Sequence, residues 1–275
     1  MFKNKRILVT GGAGSIGAML VRLLAPHNQI LIFDLDDTRG YDLAESLQYK
    51  GYDVKSVAGD VRDVVSVDNT FAGFQPQIVF HCAALKTVPS GERQQREYVM
   101  TNVVGTLNIL EASAACQVKI FVMVSSDKAA GPTSIMGGTK LMAELLAKKG
   151  GGIVVRFGNV LGSQGSIIPL WQGQIDRGEP MTITDPACER YFMTIEEACK
   201  LVIRSANQGN PGETFILDMG RRVRIGDLAQ QIIENTRQSI ETKTIGLRSG
   251  ETLIEKLMTE EEQKRAVKKG DFYVF

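Results

Sequence analysis

Near the N-terminus, Thr10-Gly11-Gly12-Ala13-Gly14-Ser15-Ile16-Gly17 follows a short β-rich run and opens a helix-periodic segment. Gly11, Gly14 and Gly17 give a G-x-x-G-x-x-G spacing. Glycine permits a tight turn and close backbone approach to a ligand, and a helix N-terminus offers free N–H groups and partial positive charge. With Ser15 and Ile16 the turn therefore suits the pyrophosphate of a dinucleotide. The second β-rich run ends at Asp34, about 20 residues on, where a carboxylate can accept hydrogen bonds from the adenosine ribose hydroxyls. That favours NAD. Arg39 stands close enough in sequence to pair with a 2′-phosphate instead, so NADP stays open. Asp60 and Val61 follow the third run, where Asp60 suits the adenine amino group or, equally, the cap of the next helix. His81 and Cys82 resemble a catalytic couple, but His81 ends a buried strand. Cys82-Ala83-Ala84 reads as small residues packed beneath the nicotinamide, which puts Ala83 at the cofactor and leaves Cys82 without a catalytic role.

Positioning these residues requires an α/β fold. Strands are predicted at Arg6 to Thr10, Gln29 to Phe33, Asp53 to Val57, Gln77 to His81, Lys119 to Val124 and Gly152 to Phe157. Helices fall near 15–25, 40–50, 64–73, 95–115 and 136–149. This alternation implies a Rossmann-type doubly wound parallel sheet, with ligands in the crevice beyond the carboxyl ends of the strands. After residue 160 the pattern loosens into loops, a helix near 195–207, a strand near 213–218 and a helix near 225–237. The expected division is a dinucleotide-binding core at 1–160 and a mainly substrate-binding C-terminal lobe at 161–275, packed as one compact unit.

Composition excludes other classes. The 275 residues include 43% hydrophobic and 23% charged side chains, enough to bury a core without disulfides. A net charge of +1, from 32 Lys+Arg against 31 Asp+Glu, gives no footprint for nucleic acid. Four cysteines in no C-x-x-C pair and two separated histidines give no metal spacing. No apolar run reaches the length of a membrane span, so a cytoplasmic protein without membrane contact is expected.

Longer motifs narrow the reading. The glycine turn, GDVRD at 59–63, HCAALK at 81–86, Asn102 and the pair Ser126 and Lys140 resemble the extended short-chain dehydrogenase/reductase superfamily. SSDKAAGPTSIMGGTK at 125–140, RFGNVLGSQGSIIPL at 156–170, ERYFMTIEEA at 189–198, FILDMG at 215–220 and IGLRSGETLIEKLMTEEE at 245–262 resemble its branch of nucleotide-sugar 4,6-dehydratases of polysaccharide biosynthesis, which act on UDP-N-acetylglucosamine. The resemblance implies oxidation at C4, loss of water across C5 and C6, and hydride return to C6. That chemistry needs one acid and one base. Asp127 as acid and Lys128 as base are the assigned pair, with a raised carboxyl pKa and a lowered ammonium pKa expected from partial burial; without the motif they would read as a surface ion pair.

The superfamily places a Tyr-x-x-x-Lys pair on one helix face, with a Ser or Thr nearby. Here Met136 precedes Lys140, and a thioether cannot take a proton; some members of the branch also carry Met there, and Met136 is expected to face the pocket. Ser126 is assigned to the 4-oxygen and Lys140 to the nicotinamide ribose, with the O4 proton leaving through water to Asp127 or Lys140. By the resemblance Arg190 and Arg248 meet the substrate diphosphate, Asn159 the diphosphate or sugar, and Lys86 the sugar. Thr87 and Ser249-Gly250-Glu251-Thr252 depart from the family pattern, which bears on substrate preference. The resemblance also implies a homo-oligomer paired through the helices at 95–115 and 136–149. Two alternatives stay open: a nucleotide-sugar 4-epimerase, against which Asp127-Lys128 speaks, and a non-catalytic dinucleotide sensor, for which Met136 speaks.

Overall fold

Ile7, Leu8 and Val9, the middle of β1 (Arg6–Thr10), have no exposed surface. A strand apolar at successive positions must lie in a sheet covered on both faces. The chain achieves this by alternating β1, α1 (Ser15–Leu24), β2 (Gln29–Asp34), α2 (Asp37–Gln48), β3 (Val54–Ala58), α3 (Val64–Phe74) and β4 (Ile78–His81). It continues through α4 (Val88–Arg93), α5 (Gln95–Val99), α6 (Gly105–Ala115), β5 (Ile120–Ser126), α7 (Ile135–Lys149) and β6 (Ile153–Phe157). A computed structural model describes residues 2–236 and 240–275. Position 237, the expected end of the last long helix, lies outside the described residues.

The six strands pair in parallel in the order β3-β2-β1-β4-β5-β6. Ile7 and Val9 pack with Leu20 and Leu43 on one face, and Leu8 packs with Phe71, Ile109 and Ala143 on the other. The order reverses between β1 and β4, which opens the crevice where such sheets bind ligands. The expected single helix at 95–115 is interrupted by a π-helical turn, Met100–Val104, between α5 and α6. That turn carries buried Asn102, whose side chain bonds both backbone groups of Leu85 and so holds the loop that follows β4.

The sheet runs past the boundary at residue 160. Thr214–Leu217 adds parallel to β6, Phe272–Val274 adds antiparallel to that strand, and Val267–Lys269 forms the outer edge, making nine strands among the described residues. Burial of β6 explains this: Ile153, Val154 and Val155 are apolar and buried, and an edge there would leave their backbone groups unpaired. Helix Ile195–Gln208 also returns to α1, with the Cys199 thiol donating to Ile16 O. A second core of Trp171, Met181, Ile183, Cys188, Ile225 and Ala229 supports the remaining lobe. Arg156, at 1% side-chain exposure, joins the two regions by pairing Glu144 of α7 at 2.6 Å and Glu262 at 2.9 Å.

Candidate active site

The glycine turn is built by backbone contact. Gly11 has φ +64°, and a Cβ there would stand 2.6 Å from Ala83 N. A Cβ at Gly17 would collide with the Gly11 carbonyl. The N-cap of α1 is Gly14, which offers no side-chain cap, and the first turn holds no acidic residue, so the N–H groups there are left for a ligand. Gly11, Gly14, Ser15, Ile16 and Gly17 line one end of a cavity of about 1170 Å³, larger than a single drug-sized site. The turn thus fits a dinucleotide pyrophosphate.

Of the other expected cofactor residues, Asp34 and Ala83 touch the glycine turn. Asp34 Oδ2 accepts from Ala13 N at 2.8 Å and Oδ1 from Asp36 N at 3.0 Å, which fixes the carboxylate beside the turn. Arg39 pairs with Asp36 at 3.3 Å on the exposed surface. Asp60 pairs with Arg62 at 2.6 Å, which holds its carboxyl below the usual range. The cap of α3 comes from Asp63 and not from Asp60: the Asp63 carboxylate accepts from Val65 N and Ser66 N. Val61 is buried beneath Gly105, and Asp34, Arg39, Asp60, Val61 and Ala83 do not form part of the cavity wall.

The five expected catalytic residues, Ser126, Asp127, Lys128, Met136 and Lys140, all line the cavity. β5 ends at Ser126 and a 3₁₀ turn over Asp127–Ala129 follows, so three consecutive side chains meet at the strand end. Ser126 Oγ donates to Asp127 Oδ1 at 2.8 Å, and Lys128 Nζ reaches the same oxygen at 3.1 Å. Lys128 Nζ also lies 2.8 Å from Glu255 Oε1 and 3.4 Å from Asn159 Oδ1.

The charge states differ from the expectation. Burial alone pushes the Lys128 ammonium down, but the Asp127 and Glu255 carboxylates outweigh it and hold Lys128 above its ordinary value. Burial would raise Asp127, yet Lys128 and the hydrogen bonds at its carboxyl hold it below. Opposite charges in contact stabilise each other, so the resting pair is ionised where a raised acid and a lowered base were expected. Glu255 is the carboxyl that is raised, by its burial, with Lys128 opposing and Asp127 reinforcing the shift. Glu255 was missed in the sequence. Nothing in Leu253-Ile254-Glu255-Lys256-Leu257 sets it apart from an ordinary exposed acidic residue.

Lys140 is buried, and its Nζ donates to Val124 O at 2.7 Å; burial pushes its ammonium down to about 8. Met136 is 2% exposed and packs with Val88 and Tyr98 while one side lines the cavity, so packing and pocket readings both hold. Burial pushes the Cys82 thiol up to about 12, which leaves no thiolate for catalysis.

At the far end Arg190 is drawn inward. Its guanidinium pairs with Glu255 at 3.2 Å and donates to the carbonyls of Glu189, Thr252 and Leu253, so it holds the 252–255 segment against Lys128. Arg248, half-exposed, pairs with Glu251 at the cavity rim. Asn159 bridges Lys128 to Glu255, donating to Oε2 at 3.2 Å. Lys86 Nζ donates to Ser163 Oγ at 3.4 Å, and burial and then the Lys128 charge hold its ammonium below the ordinary value.

The family profile described as polysaccharide biosynthesis protein matches residues 7–275. The chain is 40% identical to the uncharacterized membrane protein MJ1061 of Methanocaldococcus jannaschii, over 99% of this chain and 86% of that one. It is 38% identical to the capsular polysaccharide biosynthesis protein CapD of Staphylococcus aureus, over 94% of this chain but 46% of CapD, so it spans about half of that relative. A UDP-glucose 4-epimerase of Rickettsia rickettsii is 35% identical, over 99% of this chain and 83% of the epimerase. The solved structure of Pen from Bacillus thuringiensis superposes with a TM-score of 0.93 at 33% identity, covering 99% of this chain and 88% of Pen. Among the described residues no helix is long and apolar enough to cross a membrane.

Proposed function

The chain belongs to the polysaccharide biosynthesis protein family, within the nucleotide-sugar epimerases and dehydratases of the extended short-chain dehydrogenase/reductase superfamily, and from this premise we propose that it is a UDP-N-acetylglucosamine 4,6-dehydratase. The observation that carries the reading is Asp127 and Lys128 in contact at the end of β5, inside the cavity that begins at the glycine turn. An epimerase needs no acid and base for C5 and C6; a dehydratase needs both.

When bound, the dinucleotide supplies reversible hydride storage, held at its pyrophosphate by Gly11, Gly14 and the first turn of α1. The acidic residue at the end of β2, Asp34, favours NAD over NADP. Ser126 Oγ holds the 4-oxygen of the sugar. Lys140, with its ammonium brought down to about 8, receives the O4 proton through water, the role that Met136 cannot fill. Once C4 is a ketone the C5 proton is acidic. Lys128 takes that proton as Asp127 gives one to O6, and water leaves. Lys86, Asn159 and Arg248 line the route to the sugar nucleotide, with Arg248 at the rim suited to the diphosphate.

Purified protein incubated with UDP-N-acetylglucosamine in deuterated water should yield a product lighter by one water and carrying deuterium at C5. Lys128→Ala should yield none; mass spectrometry reads both. A second reading, a 4-epimerase, is favoured by the 35% identity to a relative named as one, and an isomer of unchanged mass would select it. Val99, Leu107, Met142 and Leu145 are exposed apolar side chains on α5, α6 and α7, which pack together; they support a homo-oligomer paired through these helices.

A further inference from the structure

The acid–base cluster contains a second buried carboxyl that the reaction above does not use. Glu255 is 8% exposed, with Oε1 at 2.8 Å from Lys128 Nζ and 3.2 Å from Arg190 Nε, and Oε2 accepting from Asn159 Nδ2 at 3.2 Å. Asp127 and Glu255 share the Lys128 ammonium, at 3.1 and 2.8 Å, which brings the two carboxyls close enough for each to shift the other's protonation. Asp127 Oδ2 is fully buried and has no hydrogen-bond donor among the described residues. Two carboxylates so close repel when both are ionised, and a proton on one of them removes the repulsion and supplies the missing donor.

The ionised resting pair poses a difficulty. Lys128 must become an amine and Asp127 a carboxylic acid before elimination, which is the reverse of their resting charges. Glu255 touches both. We propose that Glu255 is a positioning residue that holds a proton against Asp127 and passes the ammonium proton of Lys128 on to Asp127, so that one relay prepares base and acid together. In this step the Lys128 N–H bond breaks as a Glu255 O–H bond forms, while the O–H bond Glu255 already held breaks and an Asp127 O–H bond forms. Glu255 ends as it began, and the ion pair becomes a neutral pair. Exclusion of water by a bound sugar nucleotide favours that exchange, since a low dielectric penalises separated charge. The charged groups facing Glu255 are Asp127 and Lys128 from the turn after β5 and Arg190 from Glu189–Arg190; burial of Glu255 outweighs the two cations and keeps its carboxyl above the usual range.

The use made of this proton rests on the 4,6-dehydratase reading, but its existence does not. Infrared pH titration of the ligand-free protein should show a buried carboxyl titrating above the ordinary carboxylate range, and Glu255→Gln should remove it. A wild-type protein without such a carboxyl, or a signal unchanged in Glu255→Gln, overturns the proposal whichever product the enzyme makes. In the dehydratase assay Glu255→Gln, which keeps shape and hydrogen bonding, should lower kcat by about 10²-fold with KM unchanged. Glu255→Asp should restore part of the rate and shift the pH profile. A kcat for Glu255→Gln close to that of the wild type, with the same pH profile, means that Lys128 passes its proton to Asp127 directly and refutes the relay. An epimerised product from the wild type refutes the dehydratase reading alone, and the titration still decides whether Glu255 holds the proton.

Discussion

Asp127 and Lys128 illustrate how little a side chain's type says about its charge. The pair was legible in the sequence as two charged residues after the fifth strand, but their ionisation depends on each other, on Glu255 and on burial. Lys140 differs because it faces a backbone carbonyl, and burial dominates. If it takes the O4 proton, kcat should rise with pH through about 8 as the amine is freed, and Lys140→Arg should abolish that limb in a pH–rate series. His81 reports on stability. Its ring meets Thr10 at 2.7 Å and Thr106 at 2.9 Å, and burial, followed by the Lys140 charge, pushes its pKa down to about 3. The unfolded chain therefore binds a proton below pH 6.5 that the folded chain refuses until about 3. Stability should fall on acidification through that window by up to about 1.4 kcal/mol per pH unit, and His81→Gln should flatten the dependence in denaturant titrations.

Among the elements, β1 through β6 and α1, α2, α3 and α7 lie within a few residues of their expected positions, because apolar runs and helical periodicity are local signals. The glycine turn was equally legible, since only glycine tolerates the approach of Ala83 N to Gly11. Gly17→Ala should therefore displace the turn and weaken dinucleotide binding by more than about tenfold, read by titration calorimetry, as a clash with backbone cannot relax cheaply. The π-helical turn at Met100–Val104 was not legible. A five-residue change of hydrogen-bond register leaves no distinct periodicity, and its cause is tertiary: Asn102 must turn inward to bind Leu85.

At the scale of the molecule, the sheet takes its last three strands from beyond residue 160, and the C-terminal segment also supplies Glu255 and Glu262 to the core. If α5, α6 and α7 pair with their copies, Leu145→Lys should convert the oligomer to monomers in sedimentation or light scattering while leaving the fold intact, because Leu145 is 59% exposed in the single chain. Neighbouring residues carry the alternation of strands and helices, the glycine turn and the place of Asp127 and Lys128 after β5, since each is a local pattern. Tertiary structure alone decided that Arg190 turns inward, that β6 acquires a neighbour and that Glu255 reaches Lys128. These depend on which distant segments share a low-dielectric interior, where contact distance and burial set charge and hydrogen bonding, and no local pattern encodes that proximity.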